Sequence, residues 1–238
     1  MKLTCPRPRF GLAMTGIVAV LVLPACNDLP GRPGPGPEVT GPDEVLDFPV
    51  LYARNCSGCH GAGGKGNASI ALNNPVYLAI ADDATLRRIA ANGVRGTQMP
   101  AFAQGAGGML TDRQIDALVR GIRAWARPDL FHDTILPPYA ERSAGDPRRG
   151  AGVFATFCAS CHGPDGQGGR KASAVANGAY LALVSDQHLR TLVIAGRPER
   201  GAPDWRNDVP GRPLSTQEIS DVVAWLAAQR PRFDGSEP

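Results

Sequence analysis

The sequence is poor in aromatic side chains: Phe, Trp and Tyr together make up 6% of its 238 residues. Its hydrophobic content of 43% is sufficient for ordinary globular cores, and its length suggests one or two domains. With so few large rings, we expect a group other than aromatic side chains to fill the interior. The 29 glycines and 22 prolines predict many loops between the regular elements.

The chain also has little excess charge once its first 25 residues are set aside. Those residues contain three basic side chains and no acidic one, so their removal takes the formal net charge from +3 to zero. A surface without net positive charge does not favour a polyanion. We therefore expect no nucleic acid among the partners.

A bilayer-spanning run is missing as well. The apolar segment Gly11–Leu23 is shorter than the ~20 residues that a membrane-spanning helix needs. It follows a basic start with Lys2, Arg7 and Arg9, which is typical of an export signal. We interpret residues 1–25 as a signal peptide, so we expect the mature protein on the periplasmic side of a bacterial membrane.

The end of this signal, LPAC at Leu23–Cys26, resembles a bacterial lipobox, from which Pro24 departs. In a lipobox the cysteine becomes the lipidated N-terminus, so Cys26 would anchor the chain to the membrane. Ordinary cleavage after Ala25 is the alternative and would give a soluble periplasmic protein. Residues 26–44 are rich in Pro and Gly and predict a semi-extended tether.

A disulfide framework is not indicated, because four of the six cysteines lie in two Cys-x-x-Cys-His units. This motif is a c-type haem attachment signature, in which two thiols form thioethers with the haem and the histidine binds the iron. A thioredoxin-like pair would need a βαβ context and a zinc site would need four ligands. We therefore predict two covalently attached haem c groups, held by Cys56, Cys59, Cys158 and Cys161, with His60 and His162 as iron ligands.

The two units belong to an internal repeat. The sequence of Val76–Gly93 aligns with that of Ala179–Gly196 at an offset of 103 residues. The sequence of Leu110–Ala126 aligns with that of Leu214–Arg230 at an offset of 104. Helical periodicity and a capping box before each last helix, without an alternating strand pattern, predict an all-α chain. We place two tandem domains at residues 45–128 and 146–231, with a connector at residues 129–145.

On these motifs, each unit resembles a class I cytochrome c domain. The resemblance implies a helix that ends in the Cys motif, a middle helix, a loop with a methionine ligand, and a last helix packed across the first. In GTQMPAF, Gly96–Phe102, it implies Met99 as the sixth ligand of the first iron. Met109, at the start of the last helix, is the other candidate in this unit.

The second unit departs from this pattern. In ERGAPDW, Glu199–Trp205, Ala202 occupies the position of Met99, and no methionine follows Met109. The second iron must then take another sixth ligand or stay open. We name His188, at the start of the second middle helix, as a candidate ligand; the alternatives are His132, Lys171, a water molecule and an open five-coordinate iron.

Two small haem domains behind a tether predict an electron carrier. The resemblance implies a quinol-oxidising complex and a terminal oxidase, or a dehydrogenase, as electron partners, with the chain as a free carrier or a bound subunit. The alternative is a haem enzyme that uses the second iron on thiosulfate, peroxide or an oxide of nitrogen. A gas or redox sensor is a third hypothesis, but no signalling domain is attached. The altered loop also carries charged residues, namely Arg197, Arg200, Asp204 and Arg206.

Overall fold

The computed structural model describes residue 36, residues 40–207, residue 209 and residues 211–231. The predicted signal peptide, the predicted lipidation site Cys26 and most of the predicted tether lie outside these residues. The described residues from Pro42 onward form one compact unit. Nowhere in the described part of the chain is a helix long and apolar enough to cross a membrane.

The first repeat begins with the helix that leads into the Cys motif. Its helices are α1 (Phe48–Asn55), α2 (Ser57–His60), α3 (Pro75–Ile80), α4 (Asp83–Asn92) and α5 (Asp112–Arg123). Short 3₁₀ turns lie at Pro42–Glu44, Ala62–Gly64, Gln104–Ala106 and Pro128–Phe131.

The second repeat has the same order of elements. Its helices are α6 (Pro147–Phe157), α7 (Ala159–His162), α8 (Gly178–Ala182), α9 (Asp186–Ala195) and α10 (Thr216–Ala227), with a 3₁₀ turn at Pro198–Arg200. The only β pairing among the described residues is two isolated bridges, Ala103 with Leu110 and Arg197 with Ala202. The predicted all-α fold is confirmed. The sequence reasoning did not resolve α3 and α8 as separate helices ahead of the middle helices.

Local side-chain chemistry fixes where several helices begin and end. Thr111 with Gln114 forms a complete capping box at the start of α5, and Ser215 with Glu218 does the same for α10. Gly93 ends α4 with a φ of +67°, a left-handed value that glycine adopts without strain. The capping boxes and the glycine stop follow the sequence prediction.

In each repeat the first helix packs against the last one, as the resemblance implies. The largest cluster of buried apolar side chains runs through both repeats and includes Leu51, Ile115 and Ile219. A buried side chain also joins the repeats, since Asn74 Nδ2 donates to the carbonyl of Ala195 at 2.9 Å. The two repeats therefore share buried surface within one compact unit.

Candidate cofactor sites

The first Cys motif lies where α1 gives way to the single turn α2. The Cys56 N–H donates to the Tyr52 carbonyl at 2.9 Å, and the His60 N–H donates to the Cys56 carbonyl at 3.0 Å. Cys56 is half-buried, Cys59 is exposed, and both are free thiols. Burial, and then the neighbouring Cys59, raises the pKa of Cys56 to about 11. Because both thiols are free and lie only three residues apart, both are available for covalent attachment to one group.

The ring of His60 is held in one orientation. His60 is buried, with 8% of its surface exposed, and its Nδ1 lies 2.9 Å from the carbonyl oxygen of Ile70. A carbonyl only accepts, so Nδ1 carries the proton and Nε2 keeps the lone pair that a metal ligand needs. Burial also lowers the pKa of His60, which favours the neutral imidazole. This is the arrangement of a metal-binding histidine with an outer hydrogen-bond partner.

A tight loop after the Cys motif places the Ile70 carbonyl beside the His60 ring. The Gly66 N–H donates to the His60 carbonyl at 2.8 Å. Gly61 has a φ of +77°, and a Cβ there would lie 2.5 Å from the Gly66 oxygen, so only glycine fits. Gly61 and Gly66, which follow the Cys motif in the sequence, are therefore part of the first site.

The second motif repeats this geometry. Cys158 and Cys161 are free, half-buried thiols, and burial followed by the nearby Cys161 raises the pKa of Cys158 to about 11. His162 Nδ1 lies 2.8 Å from the carbonyl oxygen of Ser173, which fixes the same tautomer as in His60. His162 is less buried than His60. Each motif thus offers two thiols and one imidazole oriented through its Nδ1, a donor set that fits a c-type haem.

Met99 lies in a loop packed against the end of α4. The Val94 N–H donates to the Met99 carbonyl at 3.0 Å, and a Cβ on Gly93 would lie 2.6 Å from that oxygen. Met99 is half-buried, whereas Met109 is 80% exposed. Ligation by Met99 stays a prediction, and the exposure of Met109 does not favour the other candidate.

The backbone of the corresponding loop in the second repeat has a similar arrangement. A Cβ on Gly196 would lie 2.3 Å from the Pro203 oxygen, as the matching glycine lies against the Met–Pro segment in the first repeat. Arg197 and Ala202 exchange backbone hydrogen bonds of 2.9 and 3.1 Å. The loop is therefore present, but its ligand position carries only a methyl group.

His188 lies on α9 and is half-buried. Burial first, and then the charges of Arg197 and His60, lowers the pKa of His188 to about 4, so its imidazole is neutral near pH 7. A neutral imidazole is suited to bind iron. Ligation of the second iron by His188 stays a prediction. Because His60 contributes to this pKa shift, His188 also lies within electrostatic range of the first Cys motif. The other two alternatives, His132 and Lys171, are both exposed.

Sequence reasoning did not find the residues that join the two sites. Arg197 and Arg200 were noted only as charges on the altered loop, but each donates to a backbone carbonyl of the first repeat. Asn74 was not noted, although it caps α3 and also contacts Ala195. No sequence pattern marks such contacts, because the partners are 121 to 133 residues apart.

The all-α fold and the two matching donor sets define a tandem c-type cytochrome. Residues 44–120 match the family model described as cytochrome c oxidase, cbb3-type, subunit III, and residues 147–229 match the model described as cytochrome c. The chain consists of two cytochrome c domains in tandem, and two such domains bind two covalently attached c-type haems.

Several curated proteins are similar to the chain. It is 32% identical to the cbb3-type cytochrome c oxidase subunit CcoP of Cereibacter sphaeroides over 52% of this chain and 41% of that subunit. It therefore spans less than half the length of that relative. It is 24% identical to the cytochrome bc1 complex cytochrome c subunit of Mycobacterium bovis over 89% of this chain and 74% of that subunit.

A solved structure, the Kuenenia stuttgartiensis reducing HAO-like protein complex, superimposes with a TM-score of 0.42 at 16% identity. The superposition covers 82% of this chain and 99% of that one. A TM-score this low carries no argument about function.

Proposed function

We propose that this protein is a dihaem electron carrier that works between periplasmic or membrane-bound redox partners of a respiratory chain. The observation that carries the proposal is the pair of matching sites, each with two thiols and an oriented imidazole, within one compact unit. The relatives support it, because they are subunits of a terminal oxidase and of a bc1 complex.

In this proposal the residues have distinct roles at the two sites. The four motif cysteines attach the haems, and His60 and His162 bind the irons on the proximal side. Met99 is the sixth ligand in the first domain, where a thioether favours the ferrous state and raises the reduction potential. When bound, the haems supply one-electron redox chemistry. The protein residues attach them, orient the proximal imidazoles and limit solvent access.

The partners follow from the same reasoning. A quinol-oxidising complex or a dehydrogenase would supply electrons, and a terminal oxidase would accept them. Lipidation at Cys26 and the tether of residues 26–44 would keep the two haem domains at the periplasmic face of a membrane. The chain would act there as a free carrier or as a bound subunit of such a complex.

The direct test is rapid mixing of the reduced holoprotein with a purified oxidised cbb3-type oxidase or bc1 complex. We expect reoxidation on a millisecond to second timescale, followed by haem absorbance. A variant without haem attachment in the first domain, with Cys56 and Cys59 both changed to Ser, shows which domain faces the partner. Failure to exchange electrons with any oxidase, bc1 complex or soluble cytochrome would contradict the proposal.

A haem enzyme is the second candidate, because Ala202 leaves the second iron without a methionine. Charged groups on or near the altered loop are already paired with one another. Asp204 accepts from Arg206 Nε at 3.0 Å, and Arg197 Nε donates to Glu199 at 2.9 Å. Steady-state assays with thiosulfate, peroxide or nitrite test this alternative, and turnover above that of free haem would favour it.

A further inference from the structure

The segment Gly66–Ile70 of the first domain is fastened to the first haem motif. The Gly66 N–H donates to the His60 carbonyl at 2.8 Å, and the Ser69 N–H donates to the Cys59 carbonyl at 3.0 Å. At the end of the segment, the Ile70 carbonyl accepts from His60 Nδ1 at 2.9 Å. The position of this segment therefore sets the orientation of the first proximal imidazole.

The other side of the same segment is held by the second domain. Arg197 Nη2 donates to the carbonyls of Asn67 and Ser69 at 3.1 and 3.2 Å. Arg200 Nη2 donates to the Asn67 carbonyl at 3.0 Å. The guanidinium of Arg197 is itself fixed, because its Nε donates to Glu199 at 2.9 Å.

These contacts are only partly protected from water: the Arg197–Ser69 hydrogen bond is half-buried, whereas those to the Asn67 carbonyl are exposed. The side chains of Arg197 and Glu199 are only 22% and 29% exposed. Hydrogen bonds from a charged donor are stronger than neutral ones, and partial burial reduces their screening. Arg197 thus binds the carbonyl that directly precedes Ile70 in the chain, and that peptide unit restricts how the Ile70 carbonyl can turn.

The corresponding segment of the second domain is not held in this way by any of the described residues. His162 Nδ1 donates to the Ser173 carbonyl, and that hydrogen bond is exposed to solvent. Arg170 and Lys171, which lie just before Ser173, are exposed too. The Arg197–Ala202 loop, in which Ala202 stands at the position of Met99, is turned toward the first domain.

We propose that the Arg197–Ala202 loop acts as a clamp on the proximal side of the first haem, with Arg197 as a positioning residue for His60. The loop carries Ala202 at the position that corresponds to Met99, and its arginines hold the first domain. A shift of this loop would therefore affect both haem sites.

Two physical effects act on the first haem, and they oppose each other. The hydrogen bond from His60 Nδ1 makes the imidazole a stronger donor and by itself favours the ferric state. The positive charge of Arg197 favours the ferrous state, which carries one positive charge less than the ferric state. The charge should have the larger effect, because Arg197 acts on the His60 hydrogen bond only indirectly, through the Ser69 carbonyl. Loss of Arg197 should therefore lower the reduction potential of the first haem and leave that of the second nearly unchanged.

The test compares purified holoprotein with Arg197→Gln and Arg197→Lys. In Arg197→Gln we expect the ferrous-to-ferric ratio of the first haem to fall about tenfold at a fixed potential, which corresponds to about 59 mV for one electron. We also expect faster solvent exchange of the His60 Nδ1 proton in NMR spectra. Arg197→Lys keeps the charge without the two-carbonyl contact, so it should recover part of the potential and little of the exchange protection.

Arg170→Gln is the matched control, because it removes the same charge from the corresponding segment of the second domain. The clamp is disproved if Arg197→Gln changes neither the potential of the first haem nor the His60 proton exchange. It is equally disproved if Arg170→Gln lowers the first potential as much. If Arg197→Gln does not retain haem, Arg197→Lys decides through proton exchange alone, and unchanged exchange would overturn the proposal.

The proposal rests on haem binding at His60, which the proposed function shares. Both readouts are equilibrium properties of the isolated holoprotein, so they remain valid even if no redox partner accepts its electrons. Failure of the electron-carrier function and failure of the clamp are therefore distinguishable.

Discussion

Arg87 and Arg190 occupy the same position in the two repeats but contact different partners. Arg87 lies on the surface, with its side chain 42% exposed, and pairs with Asp112 and Asp116 at 2.9 and 2.8 Å. Arg190 is only 2% exposed. The acidic partners of Arg87 are replaced in the second repeat by Thr216 and Ser220. Without surface carboxylates to hold it, the second arginine turns inward.

Arg190 instead fastens the connector to the second domain. Its Nη2 donates to the Pro138 carbonyl at 3.0 Å, and its Nε lies 3.2 Å from the carbonyls of Pro138 and Tyr139. Its Nη1 donates to Ser220 at 3.2 Å. Burial lowers the pKa of Arg190 from its usual range. The same residue type therefore serves a surface ion pair in one repeat and holds the inter-domain chain in the other.

The packing of first and last helices also differs in a complementary way. In the first repeat a Cβ on Gly121 would lie 2.1 Å from the Phe48 ring. In the second repeat the large and small residues are exchanged: a Cβ on Gly150 would lie 2.7 Å from the Trp225 Cβ. A helix crossing this close needs a small residue on one helix, but either helix can supply it.

The largest expected effect is on the number of haems attached to each chain. Changing both Cys158 and Cys161 to Ser should reduce covalent haem from two to one per chain, because each thiol pair attaches its own haem. The matched pair, Cys56→Ser with Cys59→Ser, should also leave one. Intact-protein mass measures the number of attached haems. Loss of both haems in either variant would show that the domains do not mature independently.

The next effect concerns the sixth ligands. We expect the reduced protein to bind one carbon monoxide per two haems, at the domain that carries Ala202. Met99→Ala should raise this to two, and Ala202→Met should reduce it to zero. The absorption change on carbon monoxide addition gives the count.

An absence of carbon monoxide binding in the unaltered protein would contradict an open second iron. His188→Ala would then be the variant to examine first. If that change restores binding of one carbon monoxide per chain, His188 is the internal ligand.

The two arginines should differ in their contribution to stability. Arg190→Met should cost about 1–3 kcal/mol in the free energy of unfolding, because it leaves the half-buried Pro138 carbonyl without its donor. Arg87→Met should cost clearly less, since exposed ion pairs contribute little. Urea unfolding of both holoproteins measures the difference. Equal losses would show that the burial of Arg190 has no energetic consequence.

The smallest expected effect depends on pH. Asp221 is buried and accepts from Arg149 Nε and Nη2 at 2.8 and 2.9 Å, which lowers its pKa to about 2. Because its folded pKa lies below the unfolded value near 3.9, this stabilisation is complete above about pH 4 and is lost as pH falls toward 2. Asp221→Asn should therefore cost about 2 kcal/mol at pH 7 and little near pH 2.

Unfolding at a series of pH values checks this expectation. Asp116→Asn, at a half-exposed position of the first repeat, is the control for the loss of a surface carboxylate and should change stability little at pH 7. A cost of Asp221→Asn that stays constant from pH 7 to pH 2 would contradict the assigned role of the carboxylate.

Much of the haem site was predictable because its chemistry is local. The Cys-x-x-Cys-His motif spans only five residues, and the capping boxes at Thr111 and Ser215 join residues only three positions apart. The contacts of Arg197 and Asn74 were not predictable. Their partners are backbone carbonyls, which every residue possesses, so sequence provides no pattern from which to identify them.

The sequence by itself determined the two haem motifs, the all-α fold and the absence of a methionine at Ala202, since each depends on residue identity at short spacing. Tertiary structure alone decided which arginine supports the middle helix. Arg123 donates to the carbonyls of Leu78 and Ala81 and pairs with Asp83. In the second repeat the equivalent partners are Leu181, Val184 and Asp186, and Arg230 binds all three.

At the repeat offset, Arg123 corresponds to Ala227, and Arg230 lies three residues further along the chain. A long side chain with five N–H donors can reach the same group of oxygen atoms from either position. Alignment therefore does not reveal the shared role, because the fold preserves the place of the guanidinium group and not the residue number that carries it.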